Sequence, residues 1–313
     1  MKFMKKSAIL RKLFLAMILT TGGTLTATAQ TRGSEIKFQD PVSLRSRVTY
    51  LDLAKKIFPA ATTDETEQSL ARSDDKIPVR ELPGIVPETD VPTDRMEGEL
   101  FIRIEGVLQA RQDNEKLWWV IFSAVGEKYK KYVYQGHHIL AVFRVHRREA
   151  ELIDAATVKK NDYLWFGDNK LATDRVSERA QLEIKPRREA VFIYTRARTN
   201  GGSPAFSLVE LKGGKLNVVL SEFDLWRDHR CGYGIYETAR TRLLNAPANV
   251  YRPIEIRVTT EESREDSRYP FWRGRYRYLY AWQRRAQKYM TVVNSDKRRR
   301  AALNRYDPCN EKQ

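Results

Sequence analysis

The sequence predicts an all-β protein, antiparallel, built as a sandwich, barrel or propeller-like array with one or two short helices; an α+β fold is the alternative. Three observations carry this expectation. Short strand-like segments broken by turn signals recur from Gly98 to the end of the chain. Leu117 to Phe122 (LWWVIF) is a continuous apolar run, as expected of a strand covered on both faces. Phe206 to Leu220 (FSLVELKGGKLNVVL) reads as a hairpin, because Gly213-Gly214 can adopt the positive φ angles of a two-residue turn. That register places Val209 and Leu211 against Leu216 and Val218 on one face. No self-similar period supports propeller blades.

Three regions follow in chain order. Residues 1–29 have the grammar of a secretory signal: Lys2, Lys5, Lys6, Arg11 and Lys12 precede the apolar run Leu13 to Leu19, and Ala27-Thr28-Ala29 offers small residues to a signal peptidase. Gly22-Gly23 interrupts the run, which falls short of the ~20 apolar residues of a spanning helix. Cleavage after Ala29 is therefore expected, with no transmembrane anchor remaining and, in the absence of a cysteine after the run, no lipoprotein anchor. The product would be periplasmic or extracellular. Residues 30–97 read as an N-terminal arm. Tyr50 to Phe58 (YLDLAKKIF) has helical apolar spacing and Pro59 ends it. Residues 61–97 form an acidic linker stiffened by Pro78, Pro83, Pro87 and Pro92. Residues 98–313 read as the β-rich globular domain with a basic C-terminal tail. Its expected strands are Leu100 to Leu108, Leu117 to Phe122, Ile139 to Val145, Glu149 to Ile153, Ala190 to Arg198 (followed by the turn Thr199 to Pro204), the hairpin, Ile254 to Thr260, Tyr276 to Trp282 and Tyr289 to Val293. A short helix is expected around Ile235 to Leu244.

Charge is the dominant compositional bias. The formal net charge of +16 falls to +11 without the five signal cations, and residues 251–313 carry a net +8 of it. Residues 30–97 are net −3, so the acidic arm is expected to dock on the basic C-terminal surface. Two cysteines without a CxxC spacing, in an exported protein, predict one structural disulfide between Cys231 and Cys309. Closing so long a loop would contribute about 4 kcal/mol in the chain-entropy model.

Catalytic and metal signatures are weak. His137 and His138 are adjacent, so on a strand they face opposite ways, and His146 lies roughly 26 Å from His138 along an extended chain; no metal site is expected. Asp168-Asn169 after Gly167 lacks the alternating acids and distal Glu of a calcium loop. There is no G-x-S-x-G elbow, no phosphate-binding glycine loop, and nothing that calls for a cofactor. His229, beside Asp228 and two residues from Cys231, makes a Cys–His nucleophile imaginable, but the disulfide explains Cys231 more simply.

The segment that stands out is Arg268 to Tyr289 (RYPFWRGRYRYLYAWQRRAQKY). On a strand Tyr276, Tyr278, Tyr280 and Trp282 share one face, and Arg273, Arg275 and Arg277 the other. One reading packs the aromatic face on the core with the arginines in solvent. The other makes the strip a binding site, with Arg273, Arg275, Arg277, Arg284 and Arg285 contacting anionic groups and Tyr280 and Trp282 stacking on sugars or bases. If the rings are core, Trp282→Ala should cost about 3–5 kcal/mol. The basic run Lys297 to Arg300 extends the cationic region. Together these features predict a non-enzymatic envelope protein that binds or scaffolds. Its partner would be an anionic polysaccharide, a lipid headgroup or another envelope component rather than nucleic acid. The competing expectation is a secreted hydrolase acting on carbohydrate or cell-wall material, its residues converging only in the fold.

Overall fold

The computed structural model describes residues 36–76, 80–82, 98–158, 163–166, 180–196, 204–225, 227–230, 233–247, 250–264 and 272–305. The signal region, Cys231, Cys309, the Asp168-Asn169 turn and most of the turn at 199–204 lie outside these residues. Among the described residues the fold is mostly β, with two short α-helices, and its sheets curl into a half-barrel. No described helix is long and apolar enough to cross a membrane.

Residues 36–76 form a packed segment. Helix α1 (Tyr50–Lys55) starts at a capping box: the Asp52 backbone N–H donates to the Thr49 hydroxyl, while the Asp52 carboxylate accepts from the Thr49 N–H. Around it Ile36, Phe38, Val48, Leu53, Ile57 and Phe58 are buried in one core. Strands β1 (Thr62–Thr63) and β2 (Leu70–Ser73) pair with each other, and β2 pairs onto β4 (Leu100–Gln112). One acid of this segment, Asp64, is engaged close by. Asp64 accepts from Lys130 at 2.9 Å and lies 3.5 Å from Arg72. Burial alone would raise its pKa, but hydrogen bonds from Thr66, Lys130 and the Thr66 and Glu67 amides hold the carboxyl well below the usual range.

The first sheet runs β12-β11-β10-β4-β5-β6-β7-β3. Its members are β3 (Arg80–Glu81), β4, β5 (Glu115–Gly126), β6 (His137–Val145), β7 (Ala150–Val158), β10 (Arg188–Arg196), β11 (Pro204–Lys212) and β12 (Lys215–Asp224), with β8 (Tyr163–Phe166) and β9 (Gln181–Lys185) attached to β10. A 3-10 helix, Glu127–Gln135, joins β5 to β6. The LWWVIF run is covered on both sides: Val120 and Phe122 meet the N-terminal segment, whereas Trp119 and Ile121 enter a second core with Leu140, Val142, Ile193 and Val209. The imperfect alternation of β4 has a local cause, a register shift between Ile104 and Gly106. The β11–β12 hairpin pairs Val209 with Val218 and Leu211 with Leu216, around Gly213 and Gly214 at φ 56° and 74°. The open side of the curl is clasped by Asp154 on β7, which accepts from Arg80 at 2.6 Å and from the Leu216 N–H at 2.7 Å.

The second sheet is a five-stranded antiparallel meander: β13 (Arg227–Arg230), β14 (Tyr233–Leu243), β15 (Ile254–Arg264), β16 (Trp272–Gln283) and β17 (Lys288–Val293). Its inner face packs on β10–β12 through a third core that includes Phe192, Phe206, Phe223, Ile254, Ile256, Val258, Tyr276 and Tyr278. Residues 235–244, expected as a helix, form β14 instead. Ile235, Ala239 and Leu243 do have helical spacing, yet Tyr233 to Leu243 pair residue for residue with Arg264 to Ile254. A partner strand along the whole segment satisfies its backbone as well as a helix would, and buries its alternate side chains besides.

Helix α2 (Asp296–Arg305) closes the chain against this sheet. The basic run is therefore not a free tail. Arg299 turns inward, donating to the Glu237 carboxylate through Nε (2.8 Å) and Nη2, to the Asp224 carbonyl (2.7 Å) and, at 3.4 Å, to the Tyr278 hydroxyl. Thr260 donates to Glu237 from the opposite side at 2.7 Å.

Candidate anion-binding face

The aromatic–arginine strip of β16 divides between the two faces of the second sheet. Tyr276 and Tyr278 are buried in the third core, with Tyr280 and Trp282 packed at its margin. Arg273, Arg275 and Arg277 point outward and are exposed. Rings and arginines thus cannot grip one ligand together, because the sheet lies between them. Arg284 and Arg285 sit in the exposed β16–β17 turn. Trp282 stacks on Tyr251 at 3.7 Å, with the planes 9° apart, and meets Tyr289 edge-on.

Beneath that stack lies the buried carboxyl of Glu210, which accepts from the Tyr251 hydroxyl at 3.0 and 3.2 Å. Burial raises the Glu210 pKa, while Tyr251, Lys212, Arg188 and Lys185 pull the other way. Tyr251 is in turn pushed up to about 12 by burial and by Glu210. Lys212 lies over Trp282 and Lys185 over Tyr251. This cluster ties β11 to the second sheet and engages Trp282, while Tyr280 meets Phe223 edge-on.

The outward face of the second sheet is a different surface. Cross-strand register aligns Arg240, Arg257 and Arg277 in one row, Arg242, Glu255 and Leu279 in the next, Thr238, Thr259 and Arg275 on the other side, and then Tyr236, Glu261 and Arg273. All six arginines are exposed. Neighbouring strands lie about 4.8 Å apart, so the first row sets like charges directly opposite one another, an arrangement that costs folding free energy.

Glu255 organises this face. Its carboxylate is fully covered, and three guanidinium groups reach it by their Nε atoms: Arg257 at 2.8 Å, Arg277 at 2.5 Å, and Arg242. Burial would raise the Glu255 pKa, but the hydrogen bonds from Arg242, Arg277 and Arg257 bring it down to about 2. The arginine side chains remain 53–57% exposed. Each is held to Glu255 at Nε while more than half of its side chain stays open to solvent. One carboxylate among three guanidiniums leaves a local charge of +2, and the adjacent Arg240 adds to it. Arg273 is satisfied separately by Glu261.

Four of these residues, Arg240, Arg242, Glu255 and Arg257, were not among the sequence candidates. The alternation Tyr236, Thr238, Arg240, Arg242 was the available signal, hidden once the segment was taken as helical. His138 is buried on β6, His137 is half-buried and His146 is exposed. Among the described residues no group of three or more His, Cys, Asp or Glu side chains could hold a metal ion. No protein-family model matches the chain, and no curated protein or solved structure matches it either.

Proposed function

We propose that the protein is an exported, non-enzymatic binding or scaffolding protein of the cell envelope that grips an anionic partner with the outer face of its second sheet. The observation that carries this reading is the three-to-one ratio of guanidinium to carboxylate around Glu255, with Arg240 alongside. Arginine forks held in place at Nε lose less freedom on binding an oxyanion than loose surface lysines would. The N-terminal signal grammar and the basic balance of residues 251–313 support the same reading.

The test is binding of the purified protein to acidic polysaccharide, lipopolysaccharide, nucleic acid and a neutral glycan across a salt series. A specific face should keep one acidic partner at physiological ionic strength, where the Debye length is about 8 Å, and Arg240→Ala/Arg277→Ala should weaken that partner by roughly tenfold or more, as charged hydrogen bonds are lost. Weak binding to every polyanion, gone by physiological salt and indifferent to the two substitutions, would refute it.

A further inference from the structure

The arginine face has an apolar border. Among the described residues five large hydrophobic side chains are exposed, and three of them lie on β17: Met290 at 43%, Val292 at 61% and Val293 at 38%. Strand β17 is the edge of its sheet, paired only with β16. Val293 pairs with Leu279 and Met290 with Ala281, so Arg242, Glu255, Leu279 and Val293 form one continuous cross-strand row. An unprotected apolar edge strand is a hazard in water. Here it adjoins the most concentrated positive charge on the sheet, and that combination of cation and apolar strip suits a headgroup interface.

The chemistry of the cradle narrows the headgroup. The position where a carboxylate would sit is already filled by Glu255. What remains is the exposed part of three arginine side chains with a net +2 to neutralise. A carboxylate brings one charge and two oxygens on one carbon. A phosphomonoester brings a charge of about −1.5 to −2 and three acceptor oxygens, and it can engage more than one guanidinium fork at once.

We propose that the outer face of the second sheet docks on a membrane surface, taking a lipid phosphomonoester between Arg242, Arg257 and Arg277 while Met290, Val292 and Val293 enter the headgroup–acyl boundary. This rests on the anion-binding reading above and adds to it the partner and the role of β17. Docking is peripheral and reversible, and its strength comes from the charge and the apolar strip acting together.

The experiment is co-sedimentation of the purified mature protein, residues 30–313, with vesicles of phosphatidylcholine containing phosphatidic acid, which bears a phosphomonoester, or phosphatidylglycerol, a diester, at matched surface charge. Binding to the phosphatidic acid vesicles should be roughly tenfold tighter. Arg257→Lys keeps the charge but loses the fork and should abolish that preference. Met290→Ser/Val292→Ser keeps every charge and should lower vesicle binding roughly tenfold through lost apolar burial, with acidic polysaccharide binding and the melting temperature unchanged. Equal binding to both anionic vesicles, or indifference to the β17 substitutions, overturns the proposal. If acidic polysaccharide or a soluble sugar phosphate binds but vesicles do not, the membrane inference fails and the anion-binding function stands. If no anionic partner binds at all, both fail.

Discussion

Replacing Arg299 by alanine should destabilise the protein more than any single change on the outer face. Arg299 is the one side chain of α2 that reaches the carboxylate of Glu237, which is fully covered, and it also holds the Asp224 carbonyl and lies over the Phe223 ring. Its own pKa is raised: burial would lower it, and the Glu237 hydrogen bonds outweigh that. Removing the guanidinium takes two hydrogen bonds from a buried carboxylate that also accepts from Thr260. Breaking a buried pair from one side costs about 3–5 kcal/mol. For a domain of this size that corresponds to a fall in Tm of roughly 6–20 °C, measurable by calorimetry or denaturant titration at pH 7. The double variant Glu237→Gln/Arg299→Met removes both charges and should recover most of the loss, since a buried pair is worth far less net than the penalty for halving it. A loss below about 1 kcal/mol for Arg299→Ala, or no recovery in the double variant, would mean that Glu237 is hydrated and that α2 is not anchored through it.

Two further outcomes are expected. Trp282→Ala should cost about 2–3 kcal/mol in a melting experiment, less than a fully buried ring because Trp282 sits at the core margin, but with its stack on Tyr251 forfeited; a loss matching the full 3–5 kcal/mol would place the ring deeper than described. Glu255 has a folded-state pKa of about 2, below the ordinary value of about 4.3, so its contribution to stability is complete above pH ~4.3 and disappears as pH falls through about 2. The melting temperature of Glu255→Gln should therefore fall less steeply than that of the parent protein between pH 5 and pH 2; parallel curves would show that the carboxylate is not held by its arginines.

How much of this was legible depended on whether a residue's role is set by its neighbours in sequence or across strands. Gly213-Gly214 forces its own turn, and the LWWVIF run demands cover on both faces whatever supplies it, so both could be read locally. The β16 alternation likewise fixed which residues oppose which. It could not say that the ring side faces inward, because that depends on Phe192, Phe206 and Phe223 arriving from the first sheet. The packing of Ile36 to Phe58 was hidden for a related reason: each apolar residue there is unremarkable alone, and together they fill the cover that β4 to β6 lack. The short helix expected at 235–244 concealed Arg240 and Arg242. Two residues apart on a helix they would diverge, whereas on a strand they share a face.

The two carboxylates of the second sheet show why the outer face, and not the inner one, is the functional candidate. Glu237 points inward and Glu255 outward, and both are fully covered and engaged by arginine. On the inner side one guanidinium meets one carboxylate, joined by Thr260, Tyr278 and the Asp224 carbonyl; the two charges balance, and the group fastens α2. On the outer side three guanidiniums converge on one carboxylate, and the direct cross-strand alignment of Arg240, Arg257 and Arg277 adds repulsion that no packing requires. The three arginines satisfy the buried carboxylate but bring two more positive charges than it can balance. That surplus gains a physical rationale when an external anion completes the charge balance, which is where a departure from local consistency points to function.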